Sequence, residues 1–231
     1  MAKILFIMTG ADEWTLADGS KHTTGYWAEE AVVPLEAFKA AGHEVTVATP
    51  GGVVPKPDAS SLTDDANGGA ENGAHVRDAV TTAREFAEPI ALSQVDLDDY
   101  DAVYAPGGHG PMEDLSADAD SGRLFAGALW SGKPVGLVCH GLAALLPANA
   151  ADGVNAFAGY RITGFTNEEE RLAGLADKAA WLLEDRLEAA GLDFSAGKPF
   201  NSHVIVDRNL VTGQNPQSSA AAAQALTELV G

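Results

Sequence analysis

The segment GKPVGLVCHGLAALL, residues 132–146, decides how the fold of this chain is interpreted. Its first half is an apolar run without polar alternation, which is typical of a β-strand buried on both faces of a parallel sheet. The run stops at Cys139, His140 and Gly141, and a helical pattern follows. The segment therefore predicts a strand that turns sharply into a helix, with the only cysteine of the chain at the turn.

The same order of strand and helix repeats along the chain. Apolar runs predict strands within 3–10, 43–52, 99–110, 132–138, 159–166 and, as two short strands around Asp207, 202–213. Helical patterns occupy 28–42, 76–88, 118–131, 168–191 and 216–231. Strands that alternate with helices indicate an α/β fold in which helices flank a mostly parallel sheet. We expect one domain over residues 1–231, because this length suits a single large domain.

Two segments without sustained periodicity remain as predicted loops, residues 11–27 and 50–75. The second is rich in proline, glycine, aspartate and asparagine, and we expect it to be a surface loop inserted into the domain. Long loops in compact domains are often functional, so this one is a candidate part of a site.

Composition limits the possible partners. The chain has 14 basic and 33 acidic residues and a net charge of −19, which repels nucleic acid and anionic membranes. No apolar stretch approaches membrane-spanning length, and the first residues lack the pattern of a signal peptide. A single cysteine allows neither an internal disulfide nor a thiolate zinc cluster. We therefore expect a cytoplasmic protein without nucleic-acid or membrane partners.

The position of Cys139 favours a nucleophile. A tight turn after a strand presents the sulfur at the top of the sheet, and the following helix N-terminus is expected to lower the pKa of the thiol. The backbone N–H after the nucleophile can face a developing oxyanion, and His140 could polarise or deprotonate the thiol. The turn departs from the G-x-S-x-G pattern because Leu137 stands two residues before the cysteine, which weakens an analogy with serine hydrolases.

Two further segments carry candidate chemistry. In APGGHGPMEDL, residues 105–115, the glycines would let the backbone N–H groups of Gly108 or His109 approach a ligand closely. This segment matches neither the dinucleotide nor the Walker pattern. In TGYWAEEAVVP, residues 24–34, Glu29 is expected to face solvent, whereas an inward Glu30 would have a raised pKa that suits a proton shuttle.

The aromatic residues Trp14, Tyr26 and Trp27 are candidates to line the site and keep it dry, or else to pack in the core. A metal site built from His22, His75 or His109 is not predicted, because no H-E-x-x-H motif or closely spaced pair supports it.

Taken together, these motifs resemble the ThiJ/PfpI superfamily, also called the class I glutamine amidotransferase-like group. Within it the resemblance is closest to the glutathione-independent glyoxalase branch, glyoxalase III, which includes heat-shock chaperones. The matching motifs follow the family order over most of the chain: Glu30 in AEEAVVP, PGGHGPMEDL at 106–115, the VCHG turn, TGFTNEEE at 163–170 and VTGQNPQSS at 211–219.

The resemblance implies a flavodoxin-like three-layer sandwich and a homodimer. It implies that Cys139 is the nucleophile, that His140 is its partner and that Glu30 is the acid touching the sulfur. A further acidic residue, expected to be Glu170 with Glu169 as the alternative, would orient the histidine. We expect at least two of the three glutamates at 168–170 to be solvated at a helix N-terminus.

The implied activity is that of a cofactor-independent lyase that converts methylglyoxal and similar 2-oxoaldehydes to lactate-type 2-hydroxy acids. A thiolate would add to the aldehyde, and either Glu30 or His140 would move a proton between the two carbons. Backbone N–H groups from Gly108 or His109 and from His140 would hold the oxyanion. No metal or cofactor is implied.

Rival functions differ in what they require. A glutaminase is disfavoured because its G-x-C-x-G-x-Q turn and late His-x-Glu pair are replaced here by LVCHGLA and by His203-Val204-Ile205. A holdase chaperone or oxidation sensor, in which Cys139 would be oxidised rather than turned over, remains open. A deglycase of the same superfamily would need the same residues and also remains open.

Overall fold

The computed structural model describes residues 1–231. Its strands are β1 (Lys3–Ile7), β2 (Glu13–Thr15), β3 (Lys21–Thr23), β4 (Glu44–Thr49), β5 (Ile90–Ala91), β6 (Ala102–Ala105), β7 (Val135–Val138), β8 (Arg161–Ile162), β9 (Asp193–Phe194), β10 (Val204–Asp207) and β11 (Leu210–Gly213). Its α-helices are α1 (Ala28–Ala40), α2 (Ala70–Thr82), α3 (Arg84–Ala87), α4 (Gly110–Glu113), α5 (Ala119–Trp130), α6 (Asn167–Leu172), α7 (Leu183–Ala189) and α8 (Ser219–Val230).

Seven strands form the central sheet in the order β10-β11-β7-β6-β1-β4-β5. Neighbouring strands are parallel except at one edge, where β10 and β11 form an antiparallel hairpin. Helices α1 and α8 pack against each other and against strands of the sheet, while α5 packs against β6 and β7. The predicted flavodoxin-like three-layer sandwich with a mostly parallel central sheet is confirmed.

The central strands are apolar throughout because both faces of the sheet are covered. Every residue of β6, β7 and β11 is buried, as are residues 4–7 of β1. Burial of each large apolar side chain stabilises the fold by roughly 1.5–3 kcal/mol. The carboxyl ends of β1, β6 and β7 lie side by side, so the segments that follow them meet at one edge of the sheet. None of the helices has the length and apolar content needed to cross a membrane.

The segment predicted as a loop over 50–75 is more ordered than its composition indicates. It contains two 3₁₀ turns, Pro50–Gly52 and Ala59–Leu62, and its last six residues already belong to α2. Asp58 caps the second turn by accepting a hydrogen bond from the Ser60 N–H. The start of α2 was hidden because its first turns contain asparagine and glycine, which are poor helix formers.

The long helix predicted over 168–191 is wrong. The structure has two short helices, α6 and α7, joined by turns over residues 173–182. Helix α6 ends in a Schellman motif: Gly174, with φ of 76°, donates its N–H to Arg171, and the Leu175 N–H bonds to the carbonyl of Glu170. The helical periodicity runs across this stop without marking it.

Three smaller differences between the predicted and the observed elements involve short strands and helices. The predicted loop over 11–27 holds the hairpin of β2 and β3. The predicted helix over 76–88 is two helices, α2 and α3, separated at Ala83, whose backbone is extended. The strand predicted in 159–166 is only two residues long and pairs with β9 outside the central sheet. Short strands and hairpins leave too few alternating residues for a clear pattern.

Candidate active site

Cys139 follows β7 directly, in the middle of the sheet. Its φ is 56°, a left-handed backbone conformation that residues with a side chain seldom adopt and that tends to occur at functional sites. The side chain is buried, with 4% of its surface exposed. The predicted sharp turn is therefore present, although the residues after it, Cys139–Leu145, form a 3₁₀ helix rather than an α-helix.

The thiol lies at one end of a chain of hydrogen bonds. Its Sγ atom is 3.3 Å from Nδ1 of His140, and Nε2 of His140 is 2.7 Å from Oε2 of Glu170. Because the ionised carboxylate can only accept, Nε2 of His140 carries a proton. In the neutral imidazole Nδ1 is then unprotonated, so it can accept the proton of the thiol. The arrangement fits a general base that is oriented by a carboxylate.

The three consecutive glutamates have different surroundings. Glu168 is exposed. Glu169 is buried and belongs to a capping box with Thr166, and it also accepts from the Phe200 N–H and the Asn215 side chain. Glu170 is buried and contacts His140. The expectation that at least two of the three are solvated is wrong, because α6 packs with two of its first three carboxylates facing inward.

Glu30 lies in the first turn of α1 and is completely buried, whereas Glu29 is partly exposed. The Gly107 N–H donates to its Oε2 at 2.7 Å, and Oε1 has no hydrogen-bond partner. Burial raises the pKa of this carboxyl to about 8. At neutral pH the carboxyl is therefore mostly protonated, and its proton belongs on Oε1 because Oε2 accepts from Gly107.

Gly107 packs against both Glu30 and Cys139, whose side chains lie within hydrogen-bonding reach of each other. A Cβ atom at this position would lie 2.7 Å from the His140 nitrogen, 2.8 Å from Glu30 Oε2 and 2.9 Å from Cys139 Cβ. The carboxyl and the cysteine can approach each other only because this residue has no side chain.

The thiol is not acidified as the sequence predicts. Burial raises the pKa of Cys139 well above its usual range, and the charge of the Glu30 carboxyl acts in the same direction. The backbone N–H groups of His140 and Gly108 donate toward the sulfur and oppose burial without outweighing it. The expected lowering by a helix N-terminus fails because the thiol itself is buried and only a 3₁₀ helix follows. These two N–H groups are nevertheless placed to hold an oxyanion beside the sulfur.

His140 and Glu170, the other two members of the hydrogen-bonded chain that begins at the thiol, influence each other's pKa. Burial and the nearby His109 ring lower the pKa of His140, although the Glu170 carboxylate opposes them. Burial raises the pKa of Glu170, but the charge of His140 and hydrogen bonds from both histidines outweigh it, so this pKa lies well below its usual range. At neutral pH the resting relay therefore holds an ionised Glu170 and a neutral His140.

A cavity of about 480 Å³ opens onto these groups. It is lined by the catalytic candidates Cys139 and His140, the backbone at Gly108, the ring of His109, and a wall of aromatic and aliphatic side chains. The full lining is His22, Trp27, Asp58, Ser60, Asp65, Ala66, Gly108, His109, Cys139, His140, Phe165, Ala173, Leu175, Phe200, Pro216 and Gln217. Its volume falls in the range of small-molecule sites.

The 50–69 part of the predicted loop supplies four of the lining residues. It is held to the segment before α1 by backbone hydrogen bonds between Tyr26 and residues 56 and 58, and by the Thr24 hydroxyl, which donates to Asp58 at 2.8 Å. The loop is therefore a fixed wall of the cavity.

Of the three aromatic candidates, only Trp27 lines the cavity. Its indole Nε1 is buried without a hydrogen-bond partner. Tyr26, a candidate either to line the site as a substrate contact or to pack in the core, packs its ring against Phe86 at 5.8 Å between ring centroids and does not line the cavity, so the first expectation is wrong and the second holds. Trp14 stacks on the ring of His109 at 4.7 Å and supports it from behind the lining.

Several lining residues were missed from the sequence. Phe165 packs on His140 at 4.5 Å between ring centroids and lies inside the TGFTNEEE motif, so the motif could have identified it. Phe200, with φ of 54°, is held by the bond from its N–H to Glu169, and no pattern marks it. Asp58 and Asp65 are indistinguishable in sequence from other loop acids.

Three side chains of the site offer donor atoms of the kinds that bind metal ions. His109, His140 and Glu170 each offer one atom, and these atoms lie within 4.8 Å of one another. Both imidazole Nε2 atoms, however, are already hydrogen-bonded to Glu170, which uses both oxygens. The three side chains therefore form a hydrogen-bonded relay.

Comparisons with known proteins agree with the fold. The DJ-1/PfpI family model matches residues 22–229. "Glutamine amidotransferase-like class 1 domain-containing protein 1" of Bos taurus is 34% identical over 83% of this chain and 82% of that protein. "Glyoxalase 3" of Candida albicans is 31% identical over 97% of this chain and 96% of that protein. A crystal structure of glyoxalase III from Candida albicans has a TM-score of 0.86 at 27% identity, covering 99% of this chain and 97% of that one. With the fold, the strained cysteine and the family match in agreement, the chain belongs to the DJ-1/PfpI family.

Proposed function

We propose that this protein is a glutathione-independent, cofactor-independent glyoxalase that converts 2-oxoaldehydes such as methylglyoxal to 2-hydroxy acids such as lactate. The observation that carries the proposal is the convergence of three groups: Cys139 and His140, which line the cavity, and the fully buried carboxyl of Glu30, which lies beside Gly107. The Cys139 thiol faces Nδ1 of His140 at 3.3 Å, and the protonated carboxyl of Glu30 lies within hydrogen-bonding reach of the same thiol, beside Gly107. The 31%-identical relative named glyoxalase 3 supports the same reading.

The first step forms a bond between sulfur and the aldehyde carbon. His140 takes the thiol proton as Sγ attacks, and the oxygen that gains negative charge is held by the N–H groups of Gly108 and His140. His140 then returns the proton to that oxygen, which gives a hemithioacetal. A preformed thiolate is not required, because the base lies within reach of the thiol.

The second step moves hydrogen between the two carbons. Neutral His140 removes the proton from the carbon bonded to sulfur, while Glu30 gives its proton to the neighbouring carbonyl oxygen, and an enediol results. His140 then protonates the second carbon, and Glu30 takes the hydroxyl proton from the first. The product is a thioester of the 2-hydroxy acid: one carbon is oxidised, the other is reduced, and both protein groups regain their initial protonation.

The last step is hydrolysis. Water attacks the thioester with His140 as base, the bond between carbon and sulfur breaks, and the sulfur recovers its proton from His140. Glu170 remains ionised throughout and holds His140 by the bond at Nε2. The sum of the steps is one 2-oxoaldehyde plus one water giving one 2-hydroxy acid, without an external oxidant or reductant.

The decisive experiment incubates chelator-treated protein with methylglyoxal in the absence of glutathione and measures lactate by chiral separation. Wild type is expected to form lactate, and Cys139→Ser and Glu30→Ala are each expected to abolish turnover. Glu168→Gln is the matched control, because this carboxylate is exposed on the same helix turn as Glu170. Near-wild-type turnover in either active-site variant, with folding verified by circular dichroism, would refute the mechanism.

The alternative activities are separated by the same variants. A deglycase would release a 2-hydroxy acid from a pre-formed glycated amine when free dicarbonyl is continuously trapped. A holdase would suppress aggregation of a client protein equally well in wild type and Cys139→Ala. Lactate from free methylglyoxal, lost in Cys139→Ser, distinguishes the glyoxalase from both.

A further inference from the structure

His109 makes a set of contacts that the chemistry proposed above does not use. Its Nε2 atom is 2.9 Å from Oε1 of Glu170, the carboxylate oxygen that His140 leaves free. Its ring lies 4.2 Å from that of His140, between centroids, and stacks on Trp14. Two imidazoles therefore share one carboxylate, and an indole fixes the second imidazole in place.

The two histidines cannot both carry a positive charge at this separation without strong repulsion. They differ in solvation, because the side chain of His109 is 13% exposed whereas that of His140 is 2% exposed. A buried cation is penalised more than a partly solvated one, and both rings have the same counter-ion in Glu170. A single proton taken up by this pair is therefore held more favourably on His109.

We propose that His109 is a positioning residue that takes up the proton which would otherwise inactivate His140, and that it holds Glu170 so that Nδ1 of His140 stays free to face the thiol. This inference rests on the proposed function for its role in turnover, but not for its proton chemistry. It extends the role of His109 from the backbone N–H, as expected from the glycine-rich segment, to its side chain.

The groups around His140 are consistent with these separate roles of His109 and His140. Those with a charge or a titratable proton are Cys139 on the same turn, His109 before α4, Glu169 and Glu170 on α6, and His22 on β3, whose ring meets His109 edge-on at 6.1 Å. The remaining face of the His140 ring is covered by Phe165. No lysine or arginine lines the cavity, so His109 supplies the positive charge closest to His140 once it is protonated.

The first test uses the wild-type protein alone. Histidine side-chain NMR, with resonances assigned by comparison with single His→Gln variants, would follow the protonation of each ring as the pH is lowered. The expected result is that His109 protonates at a higher pH than His140. Protonation of His140 first would overturn the proposal, and this measurement does not depend on catalysis.

The second test replaces His109 with Gln, which keeps an N–H donor for Glu170 but cannot take up a proton. The acid limb of kcat/KM is expected to move to higher pH, so that activity falls about tenfold near pH 6 and much less near pH 8. His75→Gln is the matched control, since His75 is exposed and pairs with Glu36 away from the cavity. An acid limb that does not move, or a loss that is uniform across pH, would contradict the proposal.

Alkylation of Cys139 by iodoacetamide gives the same information without the glyoxalase reaction. Its pH dependence is expected to shift in His109→Gln in the same direction as kcat/KM. A shifted alkylation profile in a protein that forms no lactate would sustain the role of His109 and overturn the proposed function. An unshifted profile would overturn the role of His109, whether or not lactate is formed.

Discussion

Single residues in this site are held in protonation states that water would not favour. Glu30 keeps its proton because burial raises its pKa to about 8, and Cys139 keeps its proton for the same reason. His140 is held neutral between Phe165 and His109. The proposed nucleophile, acid and base are therefore all uncharged at rest, whereas the carboxylate of Glu170, proposed to orient His140, is ionised.

The buried proton of Glu30 makes the stability of the protein depend on pH. Between the usual carboxyl pKa of 4.5 and about 8, the folded protein holds this proton while the unfolded chain has released it. The contribution of the Glu30 proton to the free energy of unfolding is therefore fully present below pH 4.5, and it is lost as the pH rises from 4.5 to about 8. Relative to Glu30→Gln, wild type should lose about 1.4 kcal/mol of unfolding free energy per pH unit in this window.

Urea unfolding of wild type and Glu30→Gln near pH 5.5 and pH 7.5 measures this change. From pH 5.5 to pH 7.5, the unfolding free energy of Glu30→Gln is expected to rise relative to that of wild type. The variant is also expected to lose turnover. Glu168→Gln, which alters an exposed carboxylate, is expected to keep a constant difference from wild type. A difference between Glu30→Gln and wild type that is the same at both pH values would mean that Glu30 is ionised in the folded protein.

How much of the site is predictable depends on whether a residue sits in a local pattern. Cys139 and His140 interrupt an apolar run, and the family motifs point to Glu30 and to Glu170 as the residues that meet them. The protonated state of the thiol was not predictable, because it depends on burial by segments distant in sequence. Phe200 reaches the cavity through a backbone bond to Glu169, and no local signal marks such a contact.

Among the elements, short helices and the first turn of α1, which carries Glu30, place the candidate reacting groups. The 3₁₀ helix after β7 carries Cys139 and His140, and the six-residue α6 carries Glu170. The Schellman stop at Gly174 ends α6 so that Leu175 turns back to line the cavity. The order of strands and helices was predictable from periodicity, but this stop lies inside a continuous helical pattern and became visible only through its backbone conformation.

The turn between β6 and α4 leaves no room for a side chain at Gly107. In Gly107→Ala the added methyl group would meet two backbone or near-backbone atoms of residues 139 and 140 and the carboxyl of Glu30. Since these atoms cannot all retreat, we expect kcat/KM to fall by about a hundredfold or more as the proton path is displaced.

The matched control is Gly10→Ala, at the end of the neighbouring strand, where the closest neighbour of an added Cβ would be 3.4 Å away. It is expected to retain nearly full activity. Steady-state kinetics and thermal unfolding of both variants decide the question. Equal activity in the two would show that the gap at Gly107 is not needed for proton transfer.

At the scale of the whole molecule, charge acts together with cavity shape. The protein carries a net charge of −19, and Asp58 and Asp65 line the cavity, whose lining contains no lysine or arginine. Such a field lowers the local concentration of anions and leaves neutral molecules unaffected. The cavity of about 480 Å³ is also far larger than a three-carbon aldehyde, since a water molecule occupies about 30 Å³ of liquid volume.

These features predict selection among 2-oxoaldehydes. Phenylglyoxal should be turned over, and 4-carboxyphenylglyoxal, which has nearly the same shape but is anionic, should have a kcat/KM lower by about tenfold. The difference in kcat/KM between the two aldehydes should narrow at high salt and in Asp65→Lys. Asp65 is chosen for substitution because it makes no side-chain hydrogen bond or ion pair in the structure. Equal kcat/KM values for the two aldehydes at low salt would show that charge does not select the substrate.

The wall formed by residues 50–69 has a consequence for how such a protein can diversify. The reacting groups stand on the sheet edge and on the first turns of α1 and α6, whereas Asp58, Ser60, Asp65 and Ala66 come from one continuous stretch that contributes no reacting group. Insertions or exchanges within that stretch can alter which molecules enter while the chemistry is inherited unchanged. Substrate range and reaction type can therefore evolve at different rates in the same gene.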